Sequence, residues 1–343
     1  MSRVLITGGS GYFGSLLVRK LLERGFACRV FDLLDADDRP SYVEFVRGDI
    51  RDPAAVAAAC HGVDLVHHNV AQVPLAKDRH LFESVNIQGT DILLNAAQNA
   101  GVCKVVATSS SAVYGAPKAN PVTEDTPPAP GEAYGRAKLA AEKLCGAYAA
   151  RGLDVTIIRP RTILGHGRLG IFQILFEWIR TGYNVPVLGK GDNVYQFVHA
   201  DDLAEACILA GARPGPAAYN CGADRFGTMR EALEALCKHA DTGSRVRGLP
   251  MMPAVLGMKL TSWFGLSPLG AYHALMYGRS MYFDITRAKT ELGWQPRYSN
   301  EEMIIQSYDW YVRNWDQVLA SSGASHHRSA VRQGILNIVK RML

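Results

Sequence analysis

The sequence predicts an α/β fold with a doubly wound parallel sheet and a smaller mixed α/β lobe. In the first half, short apolar runs alternate with stretches of helical periodicity, an order typical of a parallel sheet with helices on both faces. The apolar runs are continuous, as expected for strands that are buried on both sides. Strands are predicted at 4–7, 28–32, 43–46, 65–67, 105–109 and 155–159. Helices are predicted between them at 15–24, 53–60, 85–100 and 134–151.

The pattern loosens after about residue 165. Helices are expected at 171–181, 201–211 and 229–240, with a short strand-like stretch at 195–198. This order suits a core over 1–165, a smaller substrate lobe over 166–320 that is interleaved with the last core strands, and a basic amphipathic tail over 321–343.

Composition is that of a globular protein of the cytoplasm. Of the 343 residues, 48% are apolar and 20% are charged, which excludes disordered and collagen-like classes. Seven scattered cysteines without a C-x-x-C pair are expected to be reduced core thiols, so neither disulfides nor a metal site are predicted. The net charge of +5 arises largely from four basic residues in 326–343, so nucleic acid is not an expected partner. No signal peptide and no spanning helix are expected.

A glycine-rich loop follows the first predicted strand and opens the first helix. Gly8 permits a tight turn, Gly11 allows the backbone to approach a pyrophosphate, and Gly14 lets helix and strand pack closely. The helix N-terminus then faces the phosphates. Strand, glycines and helix in this order predict a Rossmann-type dinucleotide site.

The second predicted strand ends at Asp32. A carboxylate there can accept hydrogen bonds from a ribose 2′-hydroxyl and would repel a 2′-phosphate, which favours NAD over NADP. The alternative is a solvated loop acid, because three more aspartates follow closely. After the third strand, Asp49 and Ile50 are expected to border the adenine.

Three polar side chains are candidates for acid/base chemistry. Tyr134 and Lys138 share one face of a predicted helix, where an ammonium favours the phenolate and can also hold ribose hydroxyls. An ordinary surface helix pair is the alternative. Upstream, the serine run at 109–111 lies at the carboxyl end of a strand, where a hydroxyl can polarise a carbonyl or satisfy the backbone of a loop.

With these motifs, the chain from residue 1 to about 315 resembles an extended short-chain dehydrogenase/reductase of the NAD-dependent epimerase/dehydratase group. The resemblance also rests on segments 48–50, 85–90, 109–115, 159–160, 197–202, 283–284 and 289–294. It implies hydride transfer between nicotinamide and a carbon that bears a secondary hydroxyl.

The resemblance also implies roles for individual residues. Tyr134 is the implied acid/base, Lys138 lowers its pKa and binds ribose, and Ser110 is the third catalytic residue, with Ser111 as the fallback in the serine run. The cofactor contacts that it implies are Gly8, Gly11, Tyr12, Phe13, Gly14, Asp32, Asp49, Ile50, Ala71, Tyr134, Lys138 and Pro160.

Two departures from sugar-nucleotide relatives bear on the substrate. Those relatives usually carry an Arg just before the Asp-Phe or Asp-Tyr pair that begins the segment around Phe197, to grip the diphosphate, where this chain has Tyr195 and Gln196. Many also carry an Asn at the position of Thr162. Other cations can compensate, namely Arg161, Arg168, Lys190 or Arg225. The substrate contacts predicted are Ser111, Arg161, Thr162 and Tyr195.

An apolar stretch at 250–277 and the basic tail at 326–343 have two interpretations each. The stretch is either a lid or core element of the lobe or a surface for lipid, and the tail either lies on a membrane or docks on the body or a second subunit. Peripheral membrane contact through these segments and a homodimer are therefore expected.

The leading functional interpretation is epimerisation or dehydration of a small-molecule sugar substrate, nucleotide-linked or lipid-linked. The alternative is one-way oxidation or reduction of a sterol-like or other apolar secondary alcohol, as in 3β-hydroxysteroid dehydrogenases, which the missing Arg and the apolar stretch favour. A third interpretation is a non-catalytic NAD-sensing protein of the same fold.

Overall fold

Seven strands form the central sheet. The computed structural model of the chain describes residues 2–73, 79–168, 170, 172–250, 256, 278–320 and 340. The strands are β1 (Arg3–Thr7), β2 (Ala27–Asp32), β3 (Glu44–Arg47), β4 (Leu65–His68), β5 (Lys104–Thr108), β6 (Val155–Pro160) and β11 (Ala217–Cys221). Their order is β11-β6-β5-β4-β1-β2-β3, and all neighbours are parallel. The order reverses at β1 and β4, where sheets of this kind bind ligands outside their carboxyl ends.

Helices cover both faces of this sheet. They are α1 (Tyr12–Glu23), α2 (Pro53–Cys60), α4 (Gly89–Asn99), α5 (Ala133–Ala149) and α7 (Ala200–Ala212). One apolar cluster packs α1 and α7 against the first face, and another packs α2, α4 and α5 against the second. In β1, Val4 and Ile6 belong to the first cluster and Leu5 to the second. This burial on both sides explains why the strands are continuous apolar runs.

A π-helical segment, Phe82–Gln88, joins the short α3 (Arg79–Leu81) to α4, where the sequence predicted a regular helix. Within it, Asn86 is buried and bonds the backbone of Gln72 twice: its Oδ1 accepts from the amide at 2.7 Å and its Nδ2 donates to the carbonyl at 3.0 Å. These bonds hold the segment after β4 beside the switch point, in line with the frequent occurrence of π-turns at functional sites.

The rest of the described chain contributes short strands and further helices. The strands are β7 (Thr162–Leu164), β8 (Val185–Leu188), β9 (Val194–Tyr195), β10 (Phe197–His199), β12 (Gly227–Thr228) and β13 (Val246–Leu249). The helices are α6 (Phe172–Arg180), α8 (Met229–Ala240), α9 (Thr286–Leu292), α10 (Asn300–Arg313) and α11 (Trp315–Ala320). β7 pairs with β10, β8 with β13 and β9 with β12. Large side chains such as Phe176, Trp178 and Tyr311 fill the apolar cluster of this lobe.

The structure confirms the predicted α/β fold with its doubly wound parallel sheet. Each of the six strands predicted in the first half begins and ends within one residue of its predicted bounds. All seven cysteines are free thiols and six are buried, as expected for core thiols. The division of the chain at 165 and 320 stays a prediction.

Two predicted features fall on parts of the chain that are not described. The apolar segment at 250–277 and the tail at 326–343 lie outside the described residues, except for 250, 256 and 340. Among the helices that are described, none combines the length and the apolar character needed to cross a membrane.

Candidate active site

A cavity of about 770 Å³ opens at the carboxyl ends of the central strands, at the switch point of the sheet. Its volume is in the range of cofactor and small-molecule sites. The residues predicted to contact the cofactor all line this cavity: Gly8, Gly11, Tyr12, Phe13, Gly14, Asp32, Asp49, Ile50, Ala71, Tyr134, Lys138 and Pro160. The structure therefore brings these residues together, and their binding roles stay predictions.

Three glycines shape the loop above the N-terminus of α1. Gly8 has a φ of +70°, in the left-handed region that glycine tolerates best. A Cβ at Gly14 would lie 2.1 Å from the carbonyl oxygen of Gly8, so a side chain there would displace the loop. Gly11 is the N-cap of α1. The loop and the amides of the first helical turn thus form a cradle whose shape and polarity fit a pyrophosphate.

The Asp32 carboxylate lies at the end of β2 in the cavity wall. Its Oδ2 accepts from the Ser10 amide at 3.1 Å and its Oδ1 accepts from the Leu33 amide at 2.8 Å. Burial raises the pKa of Asp32, and these backbone hydrogen bonds oppose the rise. Each oxygen can accept a further bond, which fits a ribose diol. In contrast, both carboxylate oxygens of Asp49 accept hydrogen bonds from Arg51: Oδ1 from Nε at 2.9 Å and Oδ2 from Nη2 at 2.5 Å.

Tyr134 lies in the first turn of α5 and is 8% exposed. Glu132 caps this helix by accepting from the amides of Tyr134 at 2.7 Å and Gly135 at 2.5 Å. The ring packs edge-to-face on Phe82, with centroids 6.0 Å apart. Burial raises the pKa of Tyr134 to about 12, and the Ser110 side chain offsets part of the rise. Ser110, the predicted third catalytic residue, is therefore the serine of the run that acts on the phenol, and it lines the cavity together with Tyr134.

Two cations line the cavity together with this phenol. Lys138 donates from Nζ to the carbonyl oxygen of Thr108 at 2.8 Å, and burial lowers its pKa to about 8. Arg168 also lines the cavity, with its guanidinium carbon 5.3 Å from the centre of the Tyr12 ring. Burial lowers the pKa of Arg168 to about 10, and its charge in turn lowers the pKa of Tyr134. The sequence motifs contain no sign of this neighbour, because it arrives from a loop beyond β7.

The four predicted substrate contacts form one cluster. The Arg161 Nη1 donates to Ser111 Oγ at 3.0 Å, and its guanidinium carbon is 4.8 Å from the centre of the Tyr195 ring. The hydroxyls of Thr162 and Tyr195 are 2.7 Å apart. Ser111, Arg161 and Thr162 line the cavity, and Tyr195 supports them from β9. Their role toward a substrate stays a prediction.

A buried network of charged and polar side chains connects β6 to α5. Arg159 in β6 forms a bidentate pair with Glu142 in α5, with Nε–Oε1 and Nη2–Oε2 distances of 3.0 and 2.7 Å. Its Nη1 donates to the Tyr114 hydroxyl at 2.7 Å, and Ser109 Oγ donates to Glu142 at 2.5 Å. Burial opposes the charge of Arg159, but the bonds to Glu142 raise its pKa above the usual value. The pair joins β6 to the helix that carries Tyr134.

One group of potential metal ligands occurs among the described residues: His166, His199 and Asp201. The His199 Nδ1 accepts from the Asp201 amide at 3.1 Å, and its Nε2 is 2.5 Å from Gln306 Oε1. Because Asp201 also pairs with Lys20 at 3.1 Å, these contacts account for the cluster as the capped start of α7.

The chain shares its length and fold with several named proteins. It is 55% identical over 98% of its length to the uncharacterized protein y4nG of Sinorhizobium fredii, which it covers to 85%. It is 31% identical to a UDP-glucose 4-epimerase of Mycolicibacterium smegmatis, over 92% of the chain and 100% of the relative. It is 30% identical to a 3β-hydroxysteroid dehydrogenase/Δ5→4-isomerase of Mycobacterium tuberculosis, over 97% and 96%.

A solved structure gives the same picture. MoeE5 in complex with UDP-glucuronic acid and NAD superimposes with a TM-score of 0.74 at 28% identity, over 91% of this chain and 100% of that one. A sequence model of the NAD dependent epimerase/dehydratase family matches residues 4–222, which is more than half of the chain. The chain is an NAD(P)-dependent enzyme of the extended short-chain dehydrogenase/reductase class and belongs to the NAD dependent epimerase/dehydratase family.

Proposed function

We propose that the enzyme epimerises or dehydrates a nucleotide-linked sugar by transient oxidation of a secondary hydroxyl, with Tyr134 as the acid/base. The observation that carries the proposal is that Ser110, Tyr134 and Lys138 line the same cavity as the glycine loop and Asp32. The named relatives support the substrate class, since one is a UDP-glucose 4-epimerase and MoeE5 binds UDP-glucuronic acid together with NAD. A lipid-linked sugar would present the same reacting hydroxyl.

In this proposal, one set of residues binds the cofactor and another transfers the proton. The glycine loop and the N-terminus of α1 hold the pyrophosphate, Asp32 holds the adenosine ribose, and Lys138 holds the second ribose. When bound, NAD supplies a reversible hydride acceptor. Tyr134 removes the hydroxyl proton of the substrate, and Ser110 holds the reacting oxygen in reach of the phenol.

The net redox balance separates this proposal from its alternative. Purified enzyme that has kept NAD through gel filtration is expected to convert UDP-glucose or UDP-glucuronate to an isomer or a dehydrated product without net NADH, as followed by chromatography and absorbance. Stoichiometric NADH release would replace the proposal with a dehydrogenase. Absence of turnover with these UDP-sugars, whether or not a 3β-hydroxysteroid is converted, would overturn the proposed substrate class.

One observation favours the steroid-type alternative. Tyr195 and Gln196 stand where sugar-nucleotide relatives carry the diphosphate-binding Arg followed by Asp. The Tyr195 hydroxyl is 2.7 Å from that of Thr162, and Gln196 is fully buried: its Nε2 donates to the Ala223 carbonyl at 2.7 Å and its Oε1 accepts from the Phe283 amide at 2.8 Å. A diphosphate must therefore be held by other cations, whereas an apolar secondary alcohol needs none.

Asp32 is proposed to select NAD over NADP. Asp32→Ala removes the acceptor of the ribose hydroxyls and the charge that repels a 2′-phosphate, so the ratio of NAD to NADP affinity is expected to fall by about tenfold or more. Calorimetric titration with both cofactors measures the ratio. An equal fall in Asp37→Ala would assign the selectivity to the acidic loop as a whole, and an unchanged ratio in Asp32→Ala would exclude the role of Asp32.

Assembly and membrane contact complete the proposal. A homodimer remains our prediction, as does peripheral contact with a membrane through 250–277 and 326–343. Sedimentation of the full chain tests the dimer, and flotation with liposomes, with and without residues 326–343, tests the membrane contact.

A further inference from the structure

A buried guanidinium without a counter-ion lies in the wall of the cavity. Arg161 is 1% exposed, and its Nε and Nη2 are buried without a hydrogen-bond partner. Its Nη1 donates to Ser111 Oγ at 3.0 Å and contacts the Met281 sulfur at 3.3 Å. Its remaining neighbours are aromatic: the guanidinium carbon is 4.8 Å from the centre of the Tyr195 ring and 5.7 Å from that of Phe283.

The contrast with Arg159, two residues earlier in the chain, shows what Arg161 lacks. Arg159 is buried to a similar degree, and Glu142 neutralises it through two hydrogen bonds. Among the acidic side chains that the structure describes, none forms an ion pair with Arg161. A buried charge of this kind is strongly unfavourable unless an opposite charge approaches it, and the folded protein retains it.

The charge of Arg161 reaches the cavity through Ser111. The Ser111 hydroxyl accepts from Arg161, so its own hydrogen is left to donate, and the cationic donor makes it a stronger one. Both residues line the cavity. Ser110, Tyr134 and Lys138 line the same cavity, and Ser111 directly follows Ser110, which puts this donor at the reacting part of the cavity and not at its adenosine end.

We propose that Ser111 and Arg161 form a subsite for a carboxylate on the sugar itself, so that the natural substrate is an acidic sugar of the hexuronate type. This inference rests on the proposed function and deepens it. A carboxylate next to the reacting hydroxyl would supply the counter-ion that Arg161 lacks. The diphosphate is a poorer match, because in a nucleotide sugar it is separated from the reacting hydroxyl by the ring.

The test is a binding comparison with the NAD-loaded full chain and two pairs of probes. Calorimetry compares UDP-glucuronate with UDP-glucose, and ligand-observed NMR compares free D-glucuronate with D-glucose. The acidic member of each pair is expected to bind at least about tenfold more tightly. Arg161→Met should abolish this preference, and Ser111→Ala should reduce it. Arg24→Met, which removes an exposed arginine paired with Glu205 outside the cavity, should leave it intact.

A second measurement excludes a purely structural role. Because Arg161 has no counter-ion, Arg161→Met is expected to unfold at the same temperature as the wild type or higher, with NAD affinity retained. If this variant fails to fold, Arg161→Lys keeps a charge without the planar fork, and its preference for the acidic probes should fall in the same direction.

The outcomes separate the inference from the proposed function. Turnover of UDP-glucose with equal binding of acidic and neutral probes would overturn the carboxylate subsite and leave the proposed function standing, as would a preference that persists in Arg161→Met. A preference for free glucuronate without binding of either UDP-sugar would support the subsite and refute the nucleotide-linked substrate. Failure of all four probes to bind would overturn both.

Discussion

Tyr134→Phe is expected to reduce turnover by about 10²–10⁴-fold while NAD affinity stays close to that of the wild type. The substitution removes only the phenolic hydroxyl and keeps the ring that packs on Phe82. Lys138, which would hold the ribose, keeps its bond to the Thr108 carbonyl. Turnover of a UDP-sugar and calorimetric titration with NAD measure the two quantities on the same preparation.

The pH dependence of the wild-type rate provides a second test of the role of Tyr134. Burial raises the pKa of Tyr134 to about 12, so at neutral pH the group is a phenol and the base form is scarce. The fraction of phenolate grows as the pH increases, so the rate of the oxidation step is expected to rise with pH. Ser110 and the charge of Arg168 both lower the pKa and thereby extend the active range downward. In Tyr134→Phe the residual rate should lose this dependence.

A matched variant controls for the loss of a buried tyrosine hydroxyl. The Tyr219 hydroxyl donates to Glu291 at 2.7 Å, outside the cavity, and Tyr219→Phe is expected to keep turnover within about twofold of the wild type. Equal losses in both variants would indicate a general effect on stability. Wild-type turnover in Tyr134→Phe would remove Tyr134 from the proposed chemistry.

The cofactor side of the site could be predicted because its residues are fixed by short-range sequence. The glycines, the start of α1 and Asp32 belong to one β1–α1–β2 unit, in which strand and helix periodicity determine where each residue lies. The same holds for Tyr134 and Lys138, which are four residues apart on α5. In motifs of this kind, the spacing of the residues along the chain fixes the relative positions of their side chains.

The substrate side depends on contacts between distant parts of the chain. Arg168 reaches Tyr134 from a loop 34 residues downstream, and Tyr195 supports Thr162 across 33 residues. The strands that bring these residues together, such as β7 and β9, have only three and two residues, too few for a periodicity to be recognised. The sequence likewise could not show that Arg159 has a described counter-ion and Arg161 has none, since Arg-x-Arg at the end of a strand looks the same whether or not a carboxylate faces each residue.

Arg159→Met is expected to lower the free energy of unfolding by about 3–5 kcal/mol, the largest stability effect predicted for a single side chain here. The variant leaves the Glu142 carboxylate buried, with the Ser109 hydroxyl as its remaining hydrogen-bond donor among the described side chains. It also removes the donor to the Tyr114 hydroxyl. Because Glu142 lies on α5, one turn beyond Lys138, turnover should fall as well. Denaturant unfolding followed by circular dichroism measures the stability change.

A double variant distinguishes loss of the attraction between Arg159 and Glu142 from the cost of leaving the Glu142 carboxylate buried and unpaired. If most of the destabilisation comes from the unpaired carboxylate, Arg159→Met combined with Glu142→Leu should recover the larger part of it, because apolar residues of similar volume replace buried ion pairs at little cost. A double variant that is no more stable than Arg159→Met would contradict this account, as would a single variant as stable as the wild type. Arg161→Met provides the reference: it removes a guanidinium that is buried even more fully but strands no carboxylate among the described residues. Arg159→Met should therefore destabilise the protein and Arg161→Met should not, a difference that burial of the two arginines alone would not predict.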